Sequence, residues 1–254
     1  MAKNKKIYFA SDIHLGLPNH KESLKREKLF VRWLDEIKTE ANEIYLLGDI
    51  FDFWFEYKRA IPRGFSRFLG KISEITDSGI PVHFFTGNHD MWIFDYLPKE
   101  TGVIIHKEPL IKELYGKKFY LAHGDGLGPG DRSYKLLKRI FASKLSQWLF
   151  ARFHPNWGIW IANTWSSHSR YSRETTPFEG EDKEWLIIYS KQLLEKEHFD
   201  YLVYGHRHYP LDLKLNEKSR YINLGDWLSH FTYAVFDGDT MELKKYPDNL
   251  KHPH

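Results

Sequence analysis

Short apolar runs alternate with amphipathic stretches along the chain, and the apolar runs share a way of ending. KKIYFA at 5–10, EIYLL at 43–47, VHFFT at 82–86, KFYLA at 118–122, DYLVY at 200–204 and RYINL at 220–224 are brief and rich in aromatic and β-branched residues. Runs of this length and composition predict strands buried on both faces. Helical periodicity lies between them, around residues 22–40, 64–78 and 182–197. Near the C-terminus, FTYAVF and TMELKKY flank Asp237-Gly238-Asp239, the pattern of a hairpin. Strands alternating with helices predict a layered α/β fold, with a mixed sheet or two packed sheets flanked by helices.

Each predicted strand runs into a polar loop of one kind. The six loops are Ser11-Asp12-Ile13-His14, Gly48-Asp49, Gly87-Asn88-His89-Asp90, His123-Gly124-Asp125, Gly205-His206-Arg207-His208 and Gly225-Asp226-Trp227. Ligand sites of α/β sheets form outside the carboxyl ends of the strands, so these loops predict one shared site. Its candidate metal ligands are Asp12, His14, Asp49, Asn88, His123, His206 and His208. A DxH or HxH taken alone is more often a turn than a ligand pair. An ordered set, each member following a strand, is a different signal.

The chain has no cysteine, which leaves oxygen and imidazole donors, a set suited to Mn, Fe, Co or Zn. Seven donors exceed what one ion takes. With Asp49 as a bridge they suit two divalent ions about 3.5–4 Å apart, a pair that activates water and clamps a phosphoryl group. His20, His83, His106, His198, His252 and His254 lack this context and read as surface or structural residues; His154 and His168 read as interfacial.

Residues 130–175 break the rhythm. They hold four of the nine tryptophans (Trp148, Trp157, Trp160, Trp165) and eight Lys/Arg against only Asp131 and Glu174. Leu137, Phe141, Leu145 and Trp148 fall on one predicted helical stripe. We read the region as a helical insertion within a single domain spanning 1–254. Its basic, aromatic character suits an anionic lipid surface, and the plainer reading is a helical hairpin packed on its own core. No run of about 18 apolar residues predicts a spanning helix, and the basic N-terminus lacks the apolar core of a signal peptide. A net charge of +3 with no long basic track argues against nucleic acid. A non-catalytic scaffold on this fold would be marked by lost ligands, and all seven are present.

The ordered pattern D-x-H, GDxxD, GNHD, H, GHxH resembles the calcineurin-like metallophosphoesterases. HGDGLGPGDRSYKLLKR with the Trp-rich segment after it, and the later GHRHYP and NLGDW, resemble the UDP-2,3-diacylglucosamine pyrophosphatases of lipid A biosynthesis. The resemblance implies that Asp12, His14, Asp49 and His208 hold one ion and Asp49, Asn88, His123 and His206 the other, most commonly manganese. It implies that His89 stabilises or protonates the reacting phosphoryl group, with Asp90 orienting it. The expected substrate contacts are Asn88, His89, Asp131, Tyr134, Arg170 and Arg173. Asp52, Asp125 and Asp226 are either supports of the ligands or ordinary turn residues. The implied reaction yields UMP and 2,3-diacylglucosamine 1-phosphate on the cytoplasmic face of the inner membrane, with the insertion as a lid over the acyl chains. The alternative is a broader phosphodiesterase or phosphatase for soluble nucleotides or other phosphoesters. One departure concerns the GNRD of well-known members, which is GNHD here: an arginine fork grips a diphosphate with two prongs, and His89 offers fewer donors.

Overall fold

A computed structural model of the chain describes residues 5–129, 132–160, 178 and 180–247. Two mixed sheets pack face to face. The first has the order β11-β10-β1-β2-β3-β4, built from β1 (Lys6–Ala10), β2 (Ala41–Leu47), β3 (Val82–Phe85), β4 (Ile104–His106), β10 (Thr232–Phe236) and β11 (Met241–Lys245). The second has the order β5-β6-β7-β9-β8, from β5 (Leu110–Leu114), β6 (Lys117–Ala122), β7 (Tyr201–Tyr204), β8 (Pro210–Lys214) and β9 (Arg220–Leu224). β1 through β4 run parallel, as do β6, β7 and β9, while β10, β11, β5 and β8 are antiparallel additions.

The unbroken apolar runs are explained by layering. Alternate residues of each central strand face opposite ways, and both ways lead to a core. Phe9, Tyr45, Leu47, Phe119, Leu121, Val203 and Ile222 fill the space between the sheets. Tyr8, Ala10, Ile44, Leu46 and Phe84 face outward beneath α1 (His20–Ile37) and α2 (Ser66–Asp77), against Phe30, Trp33, Leu34, Phe68 and Ile72. On the far side, Tyr120, Leu202, Tyr204 and Tyr221 lie under Leu186 and Ile187 of a helix at Trp185–Leu194. Each fully buried Phe or Leu contributes about 1.5–3 kcal/mol.

β4, β5 and β8 were not apparent in the sequence. All three lie at sheet edges. β5 shows the alternating exposure of a half-covered strand, and β8 opens with Pro210, which suits an edge where one N–H is not needed.

The chain between β6 and the last helix contains α4 (Arg132–Ala142) and α5 (Lys144–Phe150). The single stripe expected from Leu137 to Trp148 is broken at Ser143, which caps α5 by accepting from the Ser146 N–H. As a result Phe141 and Phe150 turn inward. Phe150 lies 4.7 Å from Trp92 and 4.8 Å from Phe55, and Trp92 Nε1 donates to the Phe141 carbonyl at 2.9 Å. Leu136, Ile140, Leu145, Trp148, Leu149, Phe153, Trp157 and Trp160 are left exposed. We number the helix at Trp185–Leu194 α6, and the short helix at Tyr96–Thr101 is α3. Trp165 and the rest of the expected insertion from 161 to 175 lie outside the described residues, as do Asp131, Arg170 and Arg173. No described helix is long and apolar enough to cross a membrane.

Candidate metal centre

The loops after β1, β2, β3, β6 and β7 converge at one end of the two-sheet stack, and the seven expected ligands sit on them. Three backbone contacts tie the loops together. The His206 N–H donates to Asp12 Oδ2 at 2.9 Å, the His89 N–H to Asp49 Oδ1 at 2.9 Å, and the Trp227 N–H to the Asp12 carbonyl at 3.0 Å. Glycine is required where a carboxylate presses on backbone. A Cβ on Gly205 would meet Asp12 Oδ2 at 2.6 Å, and one on Gly87 would collide with Asp49 Oδ1. The ligands' own backbone is unusual as well. Asp12, His14, Asp49, His206 and His208 all have φ between 47° and 65°, the left-handed region that side-chain-bearing residues seldom occupy outside functional sites.

Asp12, His14 and His208 form one group of donor atoms, and Asp49, His123 and His206 another. In the first, His14 Nε2 and His208 Nε2 face each other at 3.2 Å, and Asp12 Oδ1 is 3.1 Å from His208 Nε2. In the second, His123 Nε2 is 3.2 Å from Asp49 Oδ2 and 3.4 Å from Asn88 Oδ1. Asp49 Oδ2 is also 3.8 Å from His14 Nε2, so its carboxylate lies between the two groups. His14, Asp49 and His89 make a third close group, which puts His89 within reach of the centre.

These donors fit divalent cations. Asp12 Oδ1 is fully buried, and its 3.1 Å approach to His208 Nε2 lacks hydrogen-bond geometry, a costly state for an ionised oxygen that a cation between the two would relieve. Ring orientation is set from behind, as metal-bound histidines require. The second nitrogen of His123 sits 2.7 Å from the Leu47 carbonyl, to which its N–H donates, turning Nε2 inward. His14 Nδ1 is backed by Asp52 at 3.4 Å and His208 Nδ1 by Asp226 at 3.6 Å. Among the protein groups alone, the carboxylates demand positive charge. Burial pushes His123 down, but Asp49, Asp12 and Asp125 together outweigh it and carry the imidazole up to about 10. Burial likewise opposes the rise of His208, and Asp12 and Asp226 together overcome it. His206, next to the charged His123, is pressed by burial and by that charge to about 3. Against burial, the histidines hold Asp12 and Asp49 low. Cations occupying the cradle would take over the charge those protons provide.

The expected supporting roles are distributed differently. Asp90 does not touch His89. Its Oδ1 accepts from the Gly87 N–H at 2.7 Å and its Oδ2 from Ile50 at 2.9 Å and Phe51 at 3.4 Å, so it ties the Asn88 loop to the Asp49 loop. Instead, the Asp52 carbonyl, 3.0 Å from His89 Nδ1, orients that ring. Asp226 caps its own loop, its Oδ1 accepting from Leu228, Ser229 and His230, in addition to backing His208. Asp125 receives the Tyr134 hydroxyl at 2.8 Å and Lys138 Nζ at 2.6 Å, anchoring α4 to the His123 loop.

The sequence reading missed Arg26. This buried residue of α1 donates to the carbonyls of Ile13, His14 and Leu17 at 2.6–2.7 Å and fixes the Asp12–His14 loop. Nothing local marks it; an arginine on the apolar face of an amphipathic helix is the one available hint.

Residues 5–210 match the model of the family described as Calcineurin-like phosphoesterase, a stretch that contains all seven candidate ligands. The chain belongs to the calcineurin-like phosphoesterases. It is thus a hydrolase acting on phosphoric esters or anhydrides, and the family uses a dinuclear metal site. Over 257 aligned positions this phosphoesterase is 41% identical to the "UDP-2,3-diacylglucosamine hydrolase" of Porphyromonas gingivalis, covering 96% of this chain and 98% of that one. A protein of the same name from Shewanella baltica is 26% identical, covering 94% and 96%. Among solved structures, Yfce, a phosphoesterase from E. coli, is 18% identical with a TM-score of 0.45, covering 96% and 94%.

Proposed function

We propose that this phosphoesterase hydrolyses UDP-2,3-diacylglucosamine to UMP and 2,3-diacylglucosamine 1-phosphate, loaded with two divalent ions, manganese by preference. The observation that carries the substrate is the near full-length 41% identity to a relative of that name. The cradle described above fits the reaction class. Asp12, His14, Asp49 and His208 would hold one ion and Asp49, Asn88, His123 and His206 the other. The bound ions supply Lewis acidity, neutralise phosphate charge and activate water. The protein's own part falls to His89, held through Nδ1 by the Asp52 carbonyl. Its ring offers positive charge to the phosphoryl oxygens and a proton to the departing group. Asp90 serves this arrangement at one remove, by fixing the loop that carries His89.

The exposed apolar residues of α4, α5 and the segment after them support contact with acyl chains and with the inner membrane from its cytoplasmic side. A large apolar patch on a monomer marks an interaction surface, and its tryptophans suit a membrane interface. We take 130–175 as a helical lid within a single domain, with Asp131, Arg170 and Arg173 among its substrate contacts. No nucleic-acid role is proposed. The test is UMP release by manganese-loaded protein from the diacylated substrate, beside a soluble UDP-sugar and a generic phosphodiester. Strong preference for the diacylated compound is the expected result. Cleavage of only the soluble or generic esters would replace the substrate with the broader phosphodiesterase reading and leave the metal cradle intact.

A further inference from the structure

Arg207 stands between two candidate ligands, His206 and His208, and its side chain is largely buried. The Arg207 guanidinium grips Glu184 with two nitrogens: Nε is 3.1 and 3.0 Å from the two carboxylate oxygens, and a terminal nitrogen is 2.8 Å from Oε1. Both side chains are more than nine-tenths buried. Glu184 is the residue that precedes α6, and its neighbour Trp185 lies under the same guanidinium at 5.9 Å and edge-on to the His206 ring at 6.3 Å. A planar fork on a carboxylate fixes direction as well as distance, which a lysine in the same place would not do.

The loop that Arg207 belongs to needs such a hold. His206 and His208 are both left-handed, and the Arg207 N–H bends back to the Gly205 carbonyl at 2.7 Å. Backbone of this kind persists only where the surroundings over-determine it. Asn223 supplies one restraint, its side-chain amide donating to the Gly205 carbonyl at 2.7 Å, and the Glu184 pair supplies another through the Arg207 side chain. α4 is tied down in the same manner, through Tyr134 and Lys138 onto Asp125 of the His123 loop, and α1 through Arg26 onto the Asp12–His14 loop.

We infer that Glu184 and Arg207 are a positioning pair that holds His206 and His208 at the metal centre and fastens their loop to the start of α6. In this role the pair acts through the two imidazoles, as a brace on their loop. This rests on reading His206 and His208 as ligands, and the test separates the two ideas. Manganese affinity and stoichiometry are measured by chelator competition for the wild type, Glu184→Gln, Arg207→Lys and Glu181→Gln. The last removes an exposed pair between Glu181, just before α6, and Lys191 of its last turn and serves as the control. Thermal denaturation with and without manganese is followed in parallel.

For Glu184→Gln and Arg207→Lys we expect manganese affinity to fall by about 10–100-fold, the range for partners that orient metal ligands. Glu181→Gln should bind as the wild type does. Arg207→Lys keeps the charge and covers the case in which Glu184→Gln does not fold. A folded Glu184→Gln or Arg207→Lys with affinity within about twofold of wild type, whatever its melting temperature, overturns the inference. A wild type that takes up no manganese overturns the ligand reading beneath it.

Discussion

Glu56 offers a sharp test of how the start of α3 is held. Its buried carboxylate collects five donors. Oε2 accepts from the N–H groups of Phe94, Asp95 and Tyr96 at 2.7, 2.7 and 3.0 Å; Oε1 accepts from Leu97 at 3.1 Å and from Trp54 Nε1 at 3.2 Å. It thereby caps α3, whose own N-cap residue Asp95 makes no side-chain cap bond. In Glu56→Gln the amide oxygen can keep the three donors of Oε2, and its NH2 then faces the other two. Leu97 is 1% and Trp54 0% exposed, so neither donor recovers a partner from water. At about 1–3 kcal/mol per orphaned buried donor, two of them cost about 4 kcal/mol. That is a quarter or more of the stability of a typical domain. Urea denaturation at pH 7, with the slope checked for two-state behaviour, measures it. Because the group is buried, added salt should leave the difference unchanged. A loss below about 1 kcal/mol would refute the reasoning, since it would mean that these donors are satisfied some other way.

Two further outcomes follow. His89→Ala should keep two bound manganese ions and lose about 10²–10⁴-fold in kcat, the usual contribution of a positioned proton donor; loss of an ion would instead make His89 a ligand, which its closeness to His14 and Asp49 permits. The second concerns pH. Burial, with His83 and Lys112 nearby, pushes His106 down to about 4, while the unfolded chain protonates it near 6.5. The unfolded state therefore binds more protons between these values, and stability falls as pH drops through that window. Allowing for partial exposure, the loss is about 1–2 kcal/mol. His106→Gln should flatten that part of a stability-versus-pH curve, and an unchanged curve would rule out this origin.

The features legible in the sequence were those written locally. Unbroken apolar runs such as EIYLL predict central strands because both faces of β2 are covered. The ligand loops were visible for a related reason: Asp, Asn and His directly after such a run have few structural uses. Of the four edge strands only β11 was visible, through its hairpin; LIKEL and PLDLK are short and interrupted by charge, and look like loops. Ser143 was read as part of a continuous helix, though a serine three residues before an N–H in need of a partner is also a cap. The roles of Asp90, Asp125 and Tyr134 depended on which loops fold beside them. So did Arg26, Glu56 and Glu184, whose partners, Trp54 apart, are backbone groups or side chains 9 to 41 residues away. Spacing along a chain carries no record of such pairings.

The left-handed backbone at Asp12, His14, Asp49, His206 and His208 has a bearing on how this sequence can vary. Each such residue costs about 1–3 kcal/mol relative to one at ease there, so the five together rival the whole stability of a domain. Glycine would relieve that cost at every one of them. At these positions durability and chemistry pull in opposite directions. A selection that rewarded folding alone would erase the centre one ligand at a time, gaining stability at each step.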